Sequence, residues 1–423
     1  MLKDWIEVEL GDVLLLSSEK HKPETIESLF YVGLEHIEKD TGRLTIDATE
    51  STINTIKNKF YTNQILYGKL RPYLNKVYLA TQSGVCSTDI LVFNVSEATY
   101  SKYAFHFMLS RQFVNDMSAN TSGVNLPRVS TKYINSSKFP LAPLPEQRAI
   151  AAKIEQLFSE LDNGIANLKA AKSKLEIYRQ AILKQAFEES INSVCFNLSE
   201  ITNKIQIGPF GSQLHKEDYI EGGIPLINPM HIQDGQIYPN SSYSITIEKR
   251  DSLPNYILMN DDVIMGRRGE MGRCGLITKK EEGWFCGTGS LYLRPIRQKV
   301  YPAFLYYYLR SPIIKELLTG KATGTTMMNL NKTIISELPI NLPSIEEQIQ
   351  IVQEIETRLS VCDKLNESID QSLEKAQALR QSILKKAFEG KLLSQDELQT
   401  CRQQPDWEPA AKLLERVKNK KSK

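Results

Sequence analysis

One stretch of the chain occurs twice, and it limits the possible folds more than any other feature. Residues 144–188 align without a gap on residues 345–389 after a shift of 201 positions, and 16 of the 45 aligned pairs are identical. Apolar or small residues recur every seven positions in both copies, which is typical of one row of a coiled-coil seam. This row comprises Ile154, Leu161, Leu168, Leu175 and Ile182, and in the second copy Ile355, Cys362, Ile369, Ala376 and Ile383.

A second row of the seam is predicted three positions further on, at Ala171, Tyr178, Leu365 and Leu379. Pro145 suits a first helical turn, residues 344–347 (SIEE) form a capping box, and Gly390 can take the left-handed conformation that ends a helix. At about 1.5 Å per residue, each copy predicts a rod of roughly 65 Å. Two rods of this length can serve to separate other parts of the molecule.

The seam needs a partner, and two arrangements are open. Each rod could be a dimerisation arm that pairs with another molecule. Alternatively, the two rods pair with each other, because the segment between them is long enough for a whole domain. We favour the second arrangement in its antiparallel form, which places the domain before each rod at opposite ends of the pair, related by a pseudo-twofold axis.

The repeat extends beyond the rods. Residues 262–266 (DVIMG) correspond to residues 64–68 (QILYG), and the helical stretch 302–318 corresponds to 100–117. We therefore predict an α+β fold with two mixed α/β domains, 1–143 and 190–343, separated by a pair of long antiparallel coiled-coil helices, 144–189 and 344–390. The tail 391–423 either frays in solvent or docks against the rods or a partner.

Composition excludes several classes of protein. A hydrophobic content of 41% argues against global disorder, and no run of 18 apolar residues could span a bilayer. The start MLKDWIEVEL does not resemble a signal peptide, so we expect a cytoplasmic protein without membrane contact. The six cysteines form no C-x-x-C pair, and we interpret them as reduced thiols rather than metal ligands.

A search for catalytic motifs gives only weak signals. Residues 285–289 (FCGTG) match the F-x-G-x-G of a methyl-donor site, but a predicted strand follows where a helix is needed. Residues 228–231 (NPMH) half match the N-P-P-Y of amino-methyltransferases but lack the aromatic residue that stacks on a flipped base. No phosphate-binding GxxxxGK[ST] and no nuclease metal motif occur. We therefore predict no catalytic residue, metal or cofactor in this chain.

The distribution of charge points to recognition instead. The formal net charge is only +2, yet residues 51–88, 117–145, 201–216 and 317–336 contain no Asp or Glu. Basic residues with amides and hydroxyls on loop tips suit DNA, because Arg and Asn or Gln pair with base edges while Lys, Ser and Thr hold phosphates. The candidates in the first domain are Lys69, Arg71, Asn75, Lys76, Ser122, Asn125 and Arg128, and in the second Gln206, Ser212, Gln213, Arg267, Arg268, Arg273, Thr325, Asn329 and Asn331.

The ends of the two rods carry a family resemblance. The openings LPEQ (144–147) and SIEEQ (344–348), and the closings RQAILKQAFE (179–188) and RQSILKKAFEG (380–390), resemble the specificity subunits of Type I restriction-modification systems. The resemblance also includes IGPFGSQ (207–213) and EGGIP (221–225), and it covers essentially the full chain.

The resemblance implies that the two domains are target-recognition domains, each of which reads one half of a bipartite site in double-stranded DNA. It implies that the helix pair sets the unread gap and docks two methyltransferase subunits, which carry S-adenosylmethionine. Two restriction subunits would add ATP- and magnesium-dependent translocation and cleavage. Because the tips 69–75 and 267–273 differ, the site should be asymmetric. The rival interpretations are a coiled-coil scaffold that binds proteins and a self-contained DNA methyltransferase.

Overall fold

The computed structural model describes residues 3–23, 27–45, 50–188, 193–268, 272–321 and 330–421. The chain forms two compact units. Unit 1 comprises Met1–Leu168 and Gln371–Lys423, and unit 2 comprises Lys169–Asp370. Each long helix therefore contributes one half to each unit.

Unit 1 contains two main sheets. A four-stranded antiparallel sheet has the order β2-β10-β7-β8, and a five-stranded sheet has the order β3-β6-β9-β4-β5, with β4 and β9 parallel. Two strand pairs, β1 with β13 and β11 with β12, complete the unit. The strands are β1 (Ile6–Glu9), β2 (Leu14–Leu16), β3 (Lys20–His21), β4 (Glu27–Val32), β5 (Glu50–Ile53), β6 (Lys57–Phe60), β7 (Ile65–Gly68), β8 (Val77–Leu79), β9 (Gly84–Cys86), β10 (Ile90–Val95), β11 (Thr121–Ser122), β12 (Arg128–Val129) and β13 (Lys138–Leu141). The helices up to the first long one are α1 (Leu10–Val13), α2 (Ser101–Met108), α3 (Arg111–Ala119), α4 (Thr131–Ser136) and α5 (Leu144–Glu188).

Unit 2 repeats this plan. Its four-stranded sheet has the order β15-β23-β20-β21, and a three-stranded sheet, β19-β16-β22, contains the parallel pair β16 and β22. The strands are β14 (Val194–Asn197), β15 (Thr202–Ile207), β16 (Ile224–Ile227), β17 (Ile232–Gln233), β18 (Gln236–Ile237), β19 (Ser244–Ile245), β20 (Val263–Gly266), β21 (Cys274–Leu276), β22 (Phe285–Cys286), β23 (Ser290–Pro295) and β24 (Pro339–Leu342). The remaining helices are α6 (Leu198–Ile201), α7 (Ile247–Ser252), α8 (Pro302–Arg310), α9 (Pro312–Lys321), α10 (Lys332–Ser336), α11 (Ile345–Phe388), α12 (Gln395–Arg402) and α13 (Ala410–Lys421).

The helical stretches predicted at 100–117 and 302–318 are each two consecutive helices, α2 and α3 in unit 1 and α8 and α9 in unit 2. In unit 1 the break falls at Ser110, whose hydroxyl accepts a hydrogen bond from Phe113 N and caps α3. In unit 2 it falls at Ser311, just before Pro312, which lacks the amide hydrogen needed to continue α8.

The two long helices pack against each other in antiparallel orientation within each unit. In unit 1, Ile154 near the start of α5 shares a core with Ile383 and Phe388 near the end of α11. In unit 2, Ile182 near the end of α5 shares a core with Ile355 near the start of α11. Every member of the first predicted row of the seam is buried or half-buried.

The second predicted row of the seam is wrong. Tyr178, Leu365 and Leu379 are exposed by 52%, 51% and 51%, and Ala171 is exposed as well. The row of residues that lies four positions after the first row is buried or half-buried, and four of its ten members are polar. It contains Phe158, Ile165, Lys172, Arg179 and Ala186 in α5, and Leu359, Asn366, Leu373, Arg380 and Ala387 in α11.

The polar positions of this second row form ion pairs between the helices. Arg380 pairs with Asp162 in unit 1, and Arg179 pairs with Asp363 in unit 2. These two pairs occupy equivalent positions of the repeat, because Asp162 and Arg179 align with Asp363 and Arg380. A third pair, Lys172 with Asp370 at 2.6 Å, lies in unit 2. As the residue number in α5 rises by a given amount, the partner's number falls by the same amount, which defines one antiparallel register.

The opening and closing motifs of the rods have matching structural roles in both units. The buried side chain of Gln147 donates to Ala98 O and Ala142 O and accepts from Tyr100 N. Gln348 does the same with Lys299 O, Pro343 O and Tyr301 N. At the closings, Phe388 and Phe187 insert among the aromatic side chains of α2 and α8. Each glutamine fixes the helix start to its unit, because a buried amide that lost these bonds would be destabilising.

The C-terminal tail docks on unit 1. Trp407 Nε1 donates to Glu146 Oε1 at 3.3 Å, and Ala410 N donates to Asp4 O at 3.1 Å. Leu413 and Val417 of α13 bury themselves against Ala98. Of the two predicted outcomes for the tail, docking is therefore the one observed.

Two further sequence predictions concern cysteines and membranes. All six cysteines are free, and Cys195 alone among them is exposed. Within the described ranges, every helix is either too short or too polar to cross a lipid bilayer.

Candidate nucleic-acid interface

The loop tip of unit 1 is built from two stretches that are distant in sequence. The tip 69–75 follows β7, and the segment 121–129 folds back beside it. Arg71 N donates to Pro127 O at 2.8 Å, and Val129 N donates to Lys69 O at 3.2 Å. The first-domain candidates around 70 and around 125 therefore lie on one surface.

One carboxylate organises the cations of this surface. Arg128 approaches both oxygens of Asp89, with Nε at 3.3 Å from Oδ1 and Nη2 at 3.4 Å from Oδ2. Lys69 Nζ lies 3.8 Å from Asp89 Oδ1. Sequence reasoning did not select Asp89. The available signal was that Asp89 is the first acid after the longest acid-free stretch of the chain.

The other candidates of unit 1 divide into outward and inward side chains. Arg71, Ser122 and Asn125 are exposed, and Arg71 has a left-handed backbone with φ of 52°. Asn75 is buried, and its amide donates to Asp40 Oδ1 at 3.0 Å and to Leu109 O at 3.2 Å. Lys76 Nζ donates to Leu34 O at 2.5 Å. Asn75 and Lys76 thus stabilise the tip itself, and their side chains are turned away from a ligand.

Unit 2 carries the same backbone frame. Arg267 N donates to Gly289 O at 3.0 Å, as Lys69 N donates to Asp89 O at 3.1 Å. Leu330 N donates to Arg267 O at 2.9 Å, as Val129 N donates to Lys69 O. Position 289 has no side chain, so the carboxylate that Asp89 supplies in unit 1 has no counterpart at this position.

Three of the candidate arginines of unit 2 belong to the tip 267–273. Arg267 is half-buried, and burial followed by the positive charge of Arg268 lowers the pKa of its guanidinium. Arg268 is exposed. Arg273 Nη1 donates to Pro229 O at 3.3 Å, which anchors the far side of the tip. Arg267 and Arg268 therefore place two positive charges directly after the end of β20.

The remaining candidates of unit 2 have mixed placements. Gln206 Nε2 donates to Ile207 O at 2.8 Å, and Gln213 accepts from Tyr256 Oη at 2.7 Å. Asn331 caps α10 by accepting from Ile334 N at 2.8 Å. Thr325, Asn329 and the side chain of Ser212 lie outside the described residues. Sequence reasoning also did not select Phe210, an exposed aromatic side chain between Pro209 and Gly211.

The weak catalytic motifs have structural roles. The FCGTG motif spans the end of β22 and the turn into β23, so a strand follows it as predicted. Asn228 Oδ1 accepts from Gly289 N at 3.2 Å, which fixes that turn. Among the described residues, no three His, Cys, Asp or Glu side chains cluster in a way that could hold a metal ion.

Two units with one frame, different basic tips and a shared helix pair define a class of protein that recognises a ligand through loops on a duplicated scaffold. The family model for the "Type I restriction modification DNA specificity domain" matches residues 2–170 and 193–375. The chain belongs to this family of specificity subunits, which are the non-catalytic DNA-recognition components of Type I restriction enzymes.

Several relatives and solved structures agree with this assignment. The EcoBI specificity subunit of Escherichia coli is 25% identical over 368 residues, which cover 81% of this chain and 77% of that protein. The MjaVIII specificity subunit of Methanocaldococcus jannaschii is 21% identical and covers 92% and 93% of the two chains. A chain from a structural study of Type I system assembly and conformational transition is similar with a TM-score of 0.76 and 22% identity, over 93% of this chain and 99% of that one. The HsdS subunit from Thermoanaerobacter tengcongensis gives 0.57 and 22%, over 93% and 98%. These structural likenesses support the fold.

Proposed function

We propose that each unit reads one half of an asymmetric, bipartite site in double-stranded DNA, and that the long helices set the length of the unread gap. The observation that carries this proposal is the repeated frame with different basic tips, around Lys69 and Arg128 in unit 1 and around Arg267 and Arg268 in unit 2. A repeated frame presents both tips in equivalent ways, while different side chains select different bases.

The helix pair has the properties that a spacer needs. Both helices are uninterrupted, with 45 and 44 residues, which corresponds to roughly 65 Å each. The equivalent pairs Arg380–Asp162 and Arg179–Asp363 favour one register, because a shift along the seam would leave half-buried charges without partners. A fixed register implies a fixed gap.

We further propose that the helices dock two methyltransferase subunits, which carry S-adenosylmethionine, and that two restriction subunits supply ATP- and magnesium-dependent cleavage. Support comes from large apolar residues on the helix surface that face away from the seam. Ile177 and Val361 of unit 2 are exposed by 70% and 55%. Apolar side chains on long surface helices favour a protein partner.

Binding to DNA is tested by a mobility shift with a random-sequence duplex, using the chain alone and co-expressed with its methyltransferase partner. We expect salt-dependent binding by the complex. Absence of binding by both preparations would favour the rival scaffold function. Binding of S-adenosylmethionine by the isolated chain would instead favour a self-contained methyltransferase.

The spacer function is tested by inserting four residues into one rod. The insertion adds about 6 Å, against 3.4 Å per base pair along a strand. We expect the gap between the half-sites to grow by one or two base pairs while both half-sites stay unchanged, as measured by mapping methylated adenines in the genome. Altered half-sites would contradict the spacer.

A further inference from the structure

The carboxylate of Asp89 forms ion pairs with two of the candidate cations of unit 1, Arg128 and Lys69. It approaches the side edge of the Arg128 guanidinium, formed by Nε and Nη2, with both of its oxygens. It also lies 3.8 Å from Lys69 Nζ. The side chain of Asp89 is itself partly buried, with 30% of its surface exposed, so these charges interact more strongly than a fully solvated pair would.

The contact with Asp89 affects both the orientation of Arg128 and the positive charge that Arg128 and Lys69 present to DNA. Asp89 holds the Nε edge of the guanidinium, and Nη1 donates to Leu126 O at 3.5 Å. An arginine held in place in this way loses less conformational entropy when it binds. The same carboxylate offsets positive charge that would otherwise attract any phosphate. Both effects favour contact with a base edge over contact with the DNA backbone.

We infer that Asp89 is a positioning residue for sequence specificity: it orients Arg128 toward a base of the half-site read by unit 1 and weakens phosphate binding by Arg128 and Lys69. The inference rests on the proposed DNA-reading function and adds the residue that sets its selectivity. The equivalent position in unit 2 is Gly289, which has no side chain. A Cβ placed there would lie 2.9 Å from Pro229 Cδ, so no side chain fits without a shift.

The test is Asp89→Asn in the complete complex with its methyltransferase subunits, since asparagine keeps the shape and removes the charge. We expect the affinity for a random-sequence duplex to rise about threefold to tenfold at low salt, and the logarithmic salt dependence to steepen by about one unit. Mapping of methylated adenines should show degenerate bases in one half-site, while the other half-site and the gap stay as in the wild type.

Two further variants make the result specific. Glu7→Gln removes an acid of unit 1 that pairs with Lys138 at 3.6 Å, and it should change neither the random-duplex affinity nor the motif. Arg128→Lys keeps the charge but loses the two-point contact, and it should degrade the same half-site as Asp89→Asn. The double variant should be no more degenerate than the single ones, because both act through one contact.

The outcomes separate the inference from the proposed function. A wild-type complex that methylates a bipartite motif, together with an Asp89→Asn complex of unchanged motif and unchanged random-duplex affinity, overturns the inference alone. Degeneracy of different half-sites in Asp89→Asn and Arg128→Lys also overturns it. A wild-type complex without any bipartite motif overturns the proposed function, and the inference falls with it.

Discussion

The two units share a backbone and differ at a few side chains, and the junctions with the long helices show this most clearly. Glu146 and Glu347 occupy the same position of the repeat. Glu146 is buried and accepts hydrogen bonds from the indoles of Trp5 and Trp407. Glu347 is exposed and caps its helix by accepting from Ser344 N and Ser344 Oγ at 2.9 Å. A glutamate at the same position of the repeat is thus part of the core in unit 1 and caps a helix in unit 2.

The same contrast holds at the tips. Asp89 binds two cations in unit 1, whereas the equivalent Gly289 cannot. The difference teaches that the duplicated backbone sets where the tips stand, and that single positions decide how each tip behaves. The two units are therefore more alike in their backbone than in the side chains of their tips.

The largest expected effect comes from exchanging one tip. Replacement of residues 267–273 by the corresponding tip of a relative with another specificity should change one half-site completely and leave the other unchanged. The reason is that the frame holds the tip by backbone bonds such as Arg267 N to Gly289 O. Mapping of methylated adenines measures the outcome. Changes in both half-sites would show that the units do not read independently.

A smaller effect, on stability, should distinguish the junctions at the start of the two long helices. Glu146→Gln replaces one acceptor oxygen by an amide donor that faces an indole N–H, so we expect unit 1 to lose about 2 kcal/mol of stability. The matched Glu347→Gln should lose about 0.5 kcal/mol or less, because glutamine also serves in a capping box. Urea unfolding followed by tryptophan fluorescence compares them. Equal losses would refute the contrast between junctions.

The smallest effect depends on pH. Burial, and after it the positive charges of Lys102 and Arg380, lower the pKa of His106 in unit 1 to about 3. Tyr307 holds the equivalent position in unit 2. Because the folded-state pKa lies below the unfolded value of about 6.5, this stability is complete above pH 6.5 and declines as the pH falls. At pH 5 the decline should reach about 2 kcal/mol at most.

His106→Phe supplies the control for this pH effect. Its ring can occupy the same site beside Phe158, whose centroid lies 5.8 Å from that of His106. Urea unfolding of both proteins at pH 5 and pH 7.5 gives four stabilities. The wild type should lose more stability than the variant between the two pH values. An identical loss in both proteins would mean that the pKa of His106 is the same in the folded and the unfolded state.

Local sequence signals predicted much of the fold. Heptad spacing and caps placed α5 and α11 to within a residue or two. The second row of the seam was predicted wrongly because Tyr178 and Leu379 are apolar and exposed, while Arg179 and Arg380 are charged and half-buried. Hydrophobicity alone cannot show that an arginine has an aspartate across the seam.

The candidate interface was predictable as a set of segments but not as individual roles. The acid-free stretches contain Lys69, Arg71 and Arg128, which lie on one surface of unit 1. That Asn75 turns inward depends on Asp40 and Leu109, and that Asp89 holds Arg128 depends on a contact across 39 positions. Such roles are set by tertiary neighbours, which a single sequence does not reveal.

The docking of the tail has a consequence for biosynthesis. The core of unit 1 combines Trp5 and Val8 with Phe388 and Ala410, which the ribosome adds at opposite ends of synthesis. All of unit 2 lies between these two parts of unit 1 in the sequence. A nascent chain can therefore complete unit 2 before unit 1. Premature termination would then release a product whose unit 1 lacks Phe388 and Ala410, so that this core would be less stable than in the full chain.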